Sequence, residues 1–109
     1  FSKAPELVRE YQQISAKFPP EAKTLIRQWE AIKGHDTWAR LHRIQAPTLV
    51  ITGEEDLLIV PENSRILAEK IPGAQLCIIP GGGHQFLVEQ AHAANEAVLS
   101  FLKGLPMEN

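Results

Sequence analysis

The sequence predicts an α/β fold built from two parallel strands and two helices, in the order strand, helix, strand, helix. Two short runs rich in Val, Ile and Leu carry this prediction, because neither alternates between apolar and polar residues as a half-exposed strand would. Each run ends in a glycine-containing turn and is followed by a helical pattern, which is the arrangement of a parallel βαβα unit. A helical segment precedes this unit and completes the expected architecture.

Residues 1–42 are predicted to be helical. From Pro5 to Ser15, apolar residues recur at spacings of three and four, which indicates an amphipathic helix. Pro19-Pro20 interrupts that pattern. A second apolar stripe runs from Ala22 to Ile32, and Gly34 is placed where a helix would stop.

A short third segment is expected over Thr37 to Leu41, with Asp36 as its N-cap. The two tryptophans, Trp29 and Trp38, fall in these helical patterns. At helical spacing we expect both to pack in a core rather than to contact a ligand.

The composition changes at Ile44, which divides a helical segment, 1–42, from an α/β segment, 43–109. The first predicted strand lies within Ala46–Gly53 and the second covers Gln75–Ile79. Both runs lack alternation, so each strand is expected to be covered on both faces. Two predicted helices complete the unit: Pro61–Lys70, which begins at a proline and ends before Pro72-Gly73, and Gln90–Lys103, which ends at Gly104.

Composition excludes several classes of protein. The 109 residues include 11 basic and 13 acidic side chains with no basic run, so no nucleic-acid partner is expected. The apolar stretches are far shorter than the roughly 20 residues of a membrane span, so no membrane association is expected. No leader pattern is visible, and we expect a cytoplasmic location. The single cysteine, Cys77, excludes an intrachain disulfide and is expected to be buried in a strand.

A carboxylate and a histidine follow the ends of the two predicted strands. Asp56 comes shortly after the first strand, and His84 follows the glycine run after the second strand, 28 residues later. Parallel strands place their carboxyl ends at the same edge of a sheet, so the two side chains should lie within hydrogen-bonding reach. Such a carboxylate holds a histidine in one tautomer and stabilises the imidazolium that forms when the ring takes a nucleophile's proton.

Residues Leu41 to Lys103 resemble the last part of the α/β-hydrolase fold. In that family the strand-end aspartate is the acid of a catalytic triad and the histidine after the last strand is its base, which implies these roles for Asp56 and His84. The residues before Leu41 resemble the helical cap that many members carry. The resemblance rests on Ile44–Gly53 followed by Glu54–Pro61, on Ile71–Ala74, on Gly82-Gly83-His84 and on a final helix ending in Phe101-Leu102.

The resemblance implies a hydrolase that cleaves an ester, lactone or related bond of a small-molecule substrate without a metal or organic cofactor. Gly83, Phe86 and Leu87 are then expected to form one wall of the substrate pocket. In this family the nucleophilic serine lies on a GxSxG turn before the acid. Because no serine here has that setting, we expect the nucleophile and the preceding part of the fold to lie outside this chain, and the chain alone to be inactive. The serines are Ser2, Ser15, Ser64 and Ser100.

The remaining polar candidates are better explained without catalysis. We expect His35, His42 and His92 on the surface or at a contact with the cap. Glu54 and Glu55 compete with the aspartate for the role of acid, but their place in the turn fits a solvated loop. No second histidine stands at ligand spacing from the first, so no metal site is expected.

Two alternatives remain open at this level. In the first alternative, the chain is a non-catalytic α/β module that uses the same edge for binding or assembly. The missing nucleophile favours this alternative. Alternatively, the scaffold supports haloperoxidase, C–C bond hydrolase or dehalogenase chemistry. In the resembling fold the first strand has a further neighbour from the preceding part of the sheet, which is missing here, so the isolated chain is expected to form homo-oligomers.

Overall fold

The computed structural model describes residues 5–105, so Ser2 lies outside the described residues. They fall into two compact units that divide between Ala39 and Arg40. Two helices lie in the first unit, a third helical segment crosses the division, and a parallel α/β unit follows it. No helix within the described range is long and apolar enough to span a membrane.

The first unit contains two amphipathic helices, α1 (Pro5–Lys17) and α2 (Ala22–Lys33). The break between them falls at Pro19-Pro20, where two consecutive prolines remove backbone donors. Gly34 caps α2 and donates its N–H to the carbonyls of the last turn. Both helices therefore end where the sequence indicates.

Neither helix buries a residue, which corrects the prediction for the tryptophans. Trp29 is 61% exposed and Trp38 is 54% exposed, so neither is a core residue of the described chain. The physical reason is that helical periodicity identifies an apolar face but not the surface that covers it. Two short helices supply too little apolar area to enclose indole rings of this size.

The third helical segment, Trp38–Arg43, is a 3-10 helix rather than an α-helix. The Asp36 carboxylate accepts a hydrogen bond from the Trp38 N–H at 3.0 Å, as the N-cap assignment predicts. Leu41 is buried at 7% exposure and begins the core of the second unit.

The second unit is a parallel α/β unit and confirms the predicted fold class. Strand β1 (Leu49–Gly53) pairs in parallel with β2 (Gln75–Ile79), in a register that places Gly53 opposite Ile79. The helix α3 (Pro61–Lys70) connects the strands with the predicted bounds. β1 begins later than the apolar run that predicts it, because Pro47 has no N–H to contribute to a ladder.

Two helices follow β2, where the sequence predicts one. A single turn, α4 (Phe86–Glu89), precedes α5 (Ala91–Lys103), and Gln90 separates them with a non-helical φ of −128°. Four residues are too short for a periodic pattern, so sequence periodicity could not detect α4.

The hydrophobic core lies where α4 and α5 pack on the sheet. Its buried members are Ile79, Phe86 and Ala94, and the half-buried Ile51 and Cys77 pack against them. Cys77 lies in β2 as predicted but is half-buried rather than buried. The described part of the chain has a two-stranded sheet, so each strand has one edge without a β partner. Self-association through such an edge remains a prediction.

Candidate active site

The carboxyl ends of β1 and β2 bring their following turns together. The Glu54 N–H donates to the Ile79 carbonyl at 2.9 Å, and the Glu55 N–H donates to the Gly82 carbonyl at 2.8 Å. The turn after β1 is therefore bonded to both the end of β2 and the glycine run beyond it. These backbone bonds set the distance between the residues that each turn carries.

Gly53 lets the two turns approach this closely. A Cβ at this position would overlap the carbonyl oxygens of Gly82 and Gly83 and would lie 2.6 Å from the Gly82 carbonyl carbon. Gly81 has a φ of +63°, in the left-handed region that favours glycine. The glycines at these two points are therefore structural requirements of the edge that carries the candidate site.

Asp56 is a buried carboxylate with hydrogen bonds to both oxygens. It is 5% exposed. Oδ1 accepts from the backbone N–H groups of Leu58 and Ile59, each at 2.9 Å. Oδ2 lies 2.9 Å from Nδ1 of His84. A buried carboxylate needs such partners, because an unpaired one would lower the free energy of unfolding by roughly several kcal/mol.

These partners hold the Asp56 carboxyl in its ionised form. Burial raises the pKa of Asp56, but the hydrogen bonds from Ile59, His84 and Leu58, together with the charge of His84, lower it by more. The pKa therefore lies below its ordinary value of 3.8. An ionised carboxylate can only accept hydrogen bonds, so His84 must carry its proton on Nδ1.

His84 is half-exposed, with 43% of its side chain accessible, while its partner is buried. Since Nδ1 holds the proton that faces Asp56, the neutral ring has its lone pair on Nε2. A ring nitrogen in this state can take a proton from an adjacent group, and the resulting imidazolium would lie against a carboxylate. The arrangement is that of a general base and its orienting acid.

The three residues that are predicted to line the substrate pocket differ in their exposure and in their contacts. Gly83 directly precedes His84 and donates its N–H to the Glu89 carboxylate at 3.3 Å. Leu87 is 59% exposed on α4, whereas Phe86 packs in the hydrophobic core. A role of these residues in a pocket wall remains a prediction.

Two glutamates make hydrogen bonds to the glycine run that the sequence does not predict. The sequence predicts a solvated loop for the exposed Glu54, yet its carboxylate accepts the Gly81 N–H at 2.9 Å across 27 residues. No sequence pattern marks the second glutamate, Glu89. Hydrogen bonds from side chains to the backbone of a distant turn have no sequence pattern, so only the structure reveals them.

The remaining histidine candidates are surface residues, and the remaining serine candidates are helical. His35 and His42 are exposed, as is His92, whose ring lies 3.4 Å from Glu96 on the same helix. The described serines lie within helices rather than on a strand-end turn: Ser15, Ser64 and Ser100. Across residues 5–105 no group of three His, Cys, Asp or Glu side chains is placed to hold a metal ion.

The lowered pKa of Asp56 predicts a specific dependence of stability on pH. Because the pKa is lower in the folded chain than in the unfolded one, the carboxylate stabilises the fold above the unfolded value, about 3.9. That contribution is lost as the pH falls below the unfolded value and through the folded one. We therefore expect the free energy of unfolding, measured by urea titration between about pH 5 and pH 2.5, to fall less steeply in Asp56→Asn than in the unmodified chain.

Glu62→Gln is the matched control for this titration, because the Glu62 carboxylate is 69% exposed. We expect its pH dependence to follow that of the unmodified chain. Parallel curves for Asp56→Asn and the unmodified chain would contradict the lowered pKa.

Three known proteins with similar sequence or structure are named for enzymatic activities. A RutD protein from Stutzerimonas stutzeri, named for carbamate hydrolase activity, is 36% identical over 96 residues, 88% of this chain and 36% of its own. A poly(3-hydroxyalkanoate) depolymerase from Ectopseudomonas oleovorans is 49% identical over 63 residues, 58% of this chain and 22% of its own. The structure of an enol-lactonase from Burkholderia xenovorans LB400 is 35% identical, with a TM-score of 0.65, over 68% of this chain and 28% of that one.

The fold is a parallel α/β unit with a carboxylate–histidine pair at its strand ends, and these three similar proteins are named for a carbamate hydrolase, a depolymerase and an enol-lactonase. Residues 2–91 match the family model of the α/β-hydrolase fold. The chain belongs to the α/β-hydrolase fold family. It spans 36% and 22% of the lengths of the two curated relatives, about a third or less.

Proposed function

We propose that Asp56 and His84 are the acid and the base of a nucleophile–His–Asp triad that cleaves an ester, lactone or related acyl bond. The observation that carries this proposal is the 2.9 Å contact between His84 Nδ1 and the buried Asp56 carboxylate. The proposal places the nucleophile outside this chain, because the described serines lie within helices. The curated relatives are much longer than this chain, which aligns with 36% and 22% of their lengths, and this supports that placement.

In the proposed reaction His84 Nε2 takes the proton of the nucleophile as the nucleophile attacks the substrate carbonyl carbon. The imidazolium that forms is stabilised by Asp56, which stays ionised. His84 then returns the proton to the leaving group, which departs as an alcohol. In the second half, His84 takes a proton from water as the water oxygen attacks the acyl carbon. The bond between the acyl carbon and the nucleophile then breaks, His84 returns the proton to the nucleophile, and the acid is released.

The substrate class follows from the same chemistry. A triad of this kind acts on a small molecule with an electrophilic carbonyl and needs no metal or organic cofactor. The relatives' names, which refer to a carbamate, a polyester and an enol-lactone, support an acyl bond to oxygen or nitrogen. We further propose that Gly83 and Leu87 line the substrate pocket beside His84 and that Phe86 supports this wall from the core.

The organisation of the chain follows from the proposal. Residues 1–42 would be a cap-like segment with a return helix, and residues 43–109 the end of the hydrolase core. The preceding strands of the core, with the oxyanion hole and the nucleophile, would then be the main partner of this chain. A cytoplasmic location remains a prediction from the sequence.

The isolated chain is expected to have no esterase activity above background, because it carries an acid and a base without a nucleophile poised beside them. The measurement is the initial rate of p-nitrophenyl acetate hydrolysis over a range of substrate concentrations. Saturable turnover that disappears in His84→Ala and also in one serine-to-alanine variant would show that the chain holds its own nucleophile.

The residue at the nucleophile position of the longer protein separates the remaining alternatives. A serine in GxSxG supports the hydrolase. An aspartate there would indicate dehalogenase chemistry, and a small inert residue would indicate a non-catalytic binding or assembly module. With a serine present, peroxide-dependent bromination assayed beside ester hydrolysis would separate haloperoxidase chemistry from hydrolysis, and a carbon-linked acyl substrate would test for a C–C bond hydrolase.

A further inference from the structure

The backbone that carries His84 is a run of glycines, and glycine restricts the chain less than any other residue. His84 follows Gly81, Gly82 and Gly83 directly and is itself half-exposed. Its ring contacts Asp56 through Nδ1 at 2.9 Å, and the backbone that brings the ring to this contact is the glycine run. Groups that fix the glycine run therefore help to position the ring.

One side chain holds the glycine next to His84. Glu89 Oε2 accepts a hydrogen bond from the Gly83 N–H at 3.3 Å. The same oxygen would lie 3.2 Å from a Cβ built on Gly83, so the carboxylate lies directly against this residue. Glu89 is half-buried, and a half-buried carboxylate in contact with the backbone resists displacement by water.

Glu89 is itself fixed to the core of the unit. It ends α4, whose first residue, Phe86, is 8% exposed in the core cluster. The Phe86 N–H donates to the Gly83 carbonyl at 3.2 Å, so α4 engages both polar groups of this glycine. The neighbouring Gln90 donates from its side chain to the Pro80 carbonyl at 2.8 Å, which fixes the beginning of the same turn.

We propose that Glu89 is a positioning residue, which fixes the Gly83 backbone through its carboxylate and thereby keeps His84 Nδ1 on Asp56. The proposal rests on the proposed function of the Asp56–His84 pair. Glu89 does not touch the reacting atoms in this assignment. It acts through Gly83, and its contribution depends on a hydrogen-bond acceptor rather than on a negative charge.

The test compares two near-isosteric variants of the full 109-residue chain by NMR. Glu89→Gln keeps an oxygen that can accept the Gly83 N–H, whereas Glu89→Met has a similar length and no comparable acceptor. The first readout is the downfield proton resonance of His84 Nδ1–H in its bond to Asp56. We expect this resonance to be present in the unmodified chain, retained in Glu89→Gln and lost in Glu89→Met.

A second readout is the pKa of the Asp56 carboxyl, followed by its ¹³C shift. His84 is one of the groups that lower this pKa. In Glu89→Met we expect the pKa to rise toward the value measured in His84→Ala, while Glu89→Gln stays near the unmodified chain. Glu96→Met is the matched control, because the Glu96 side chain is 67% exposed on α5 and should leave both readouts unchanged.

Each other outcome has a defined meaning. Retention of the resonance in Glu89→Met would overturn the proposal. Its loss in both Glu89 variants with the β1–β2 amide pattern intact would show that charge, not an acceptor, is required, and would overturn it too. Loss of the strand pattern in Glu89→Met would make Glu89 a determinant of folding instead. Absence of the resonance and of the Asp56 shift in the unmodified chain would contradict the acid–base pair itself, and so the proposed function.

Discussion

In the longer enzyme that the proposed function requires, replacing His84 with alanine is expected to lower kcat by a factor on the order of 10⁴ to 10⁶, the range found for removal of a triad base. His84 Nδ1 contacts the Asp56 carboxylate, so the neutral ring has its lone pair on Nε2. Without it, the nucleophile would keep its proton and the imidazolium that Asp56 stabilises could not form. The measurement is steady-state hydrolysis of an ester or lactone substrate.

The matched control is His92→Ala, because His92 is 89% exposed on α5, where its ring lies 3.4 Å from Glu96. It should leave kcat within about twofold of the unmodified enzyme, as expected of surface substitutions away from special features. A His84→Ala enzyme that folds normally and keeps a kcat near that of the unmodified enzyme would remove His84 from the proton transfer.

Replacing Gly53 with alanine is expected to destabilise the chain by about 3 kcal/mol, the upper part of the usual range for overpacking. The added methyl would overlap the carbonyl oxygens of Gly82 and Gly83. These are backbone atoms of a turn that is hydrogen-bonded to Glu55 on one side and to Glu89 on the other, so they cannot move aside as a flexible side chain would. Urea-induced unfolding followed by circular dichroism measures the effect.

Gly34→Ala is the control for this substitution. A Cβ at Gly34 would lie 3.7 Å from the Glu30 carbonyl oxygen, an ordinary contact, and Gly34 has a negative φ of −85°. We expect this variant to be as stable as the unmodified chain or more stable by up to about 1 kcal/mol, because alanine restricts the unfolded chain. Equal stability of the Gly53 and Gly34 variants would contradict the close approach of the two turns.

The sequence predicts those features that depend on local pattern and on the direction of parallel strands. The bounds of α3 and β2 follow from Pro61, from Pro72-Gly73 and from an apolar run. The approach of Asp56 and His84 follows from one rule, that parallel strands end at the same edge. The proximity of the pair is therefore predictable from the sequence alone.

Features that depend on distant contacts could not be predicted in this way. The bonds of Glu54 to Gly81 and of Glu89 to Gly83 join side chains to the backbone of a turn, and no spacing marks them. The exposure of Trp29 shows the other limit, since an apolar stripe does not reveal what covers it. A single helical turn such as α4 is too short for any periodicity to be measured.

The hydrogen bonds to Asp56 have a consequence for the tolerance of this region to mutation. Its Oδ1 accepts both hydrogen bonds from the main chain, at positions 58 and 59, and the side chains of these residues, Leu58 and Ile59, are 71% and 49% exposed. Every amino acid except proline supplies the same N–H group. The residues just after the acid can therefore vary widely during evolution, and adapt to new surroundings, without disturbing the ionised state on which His84 depends.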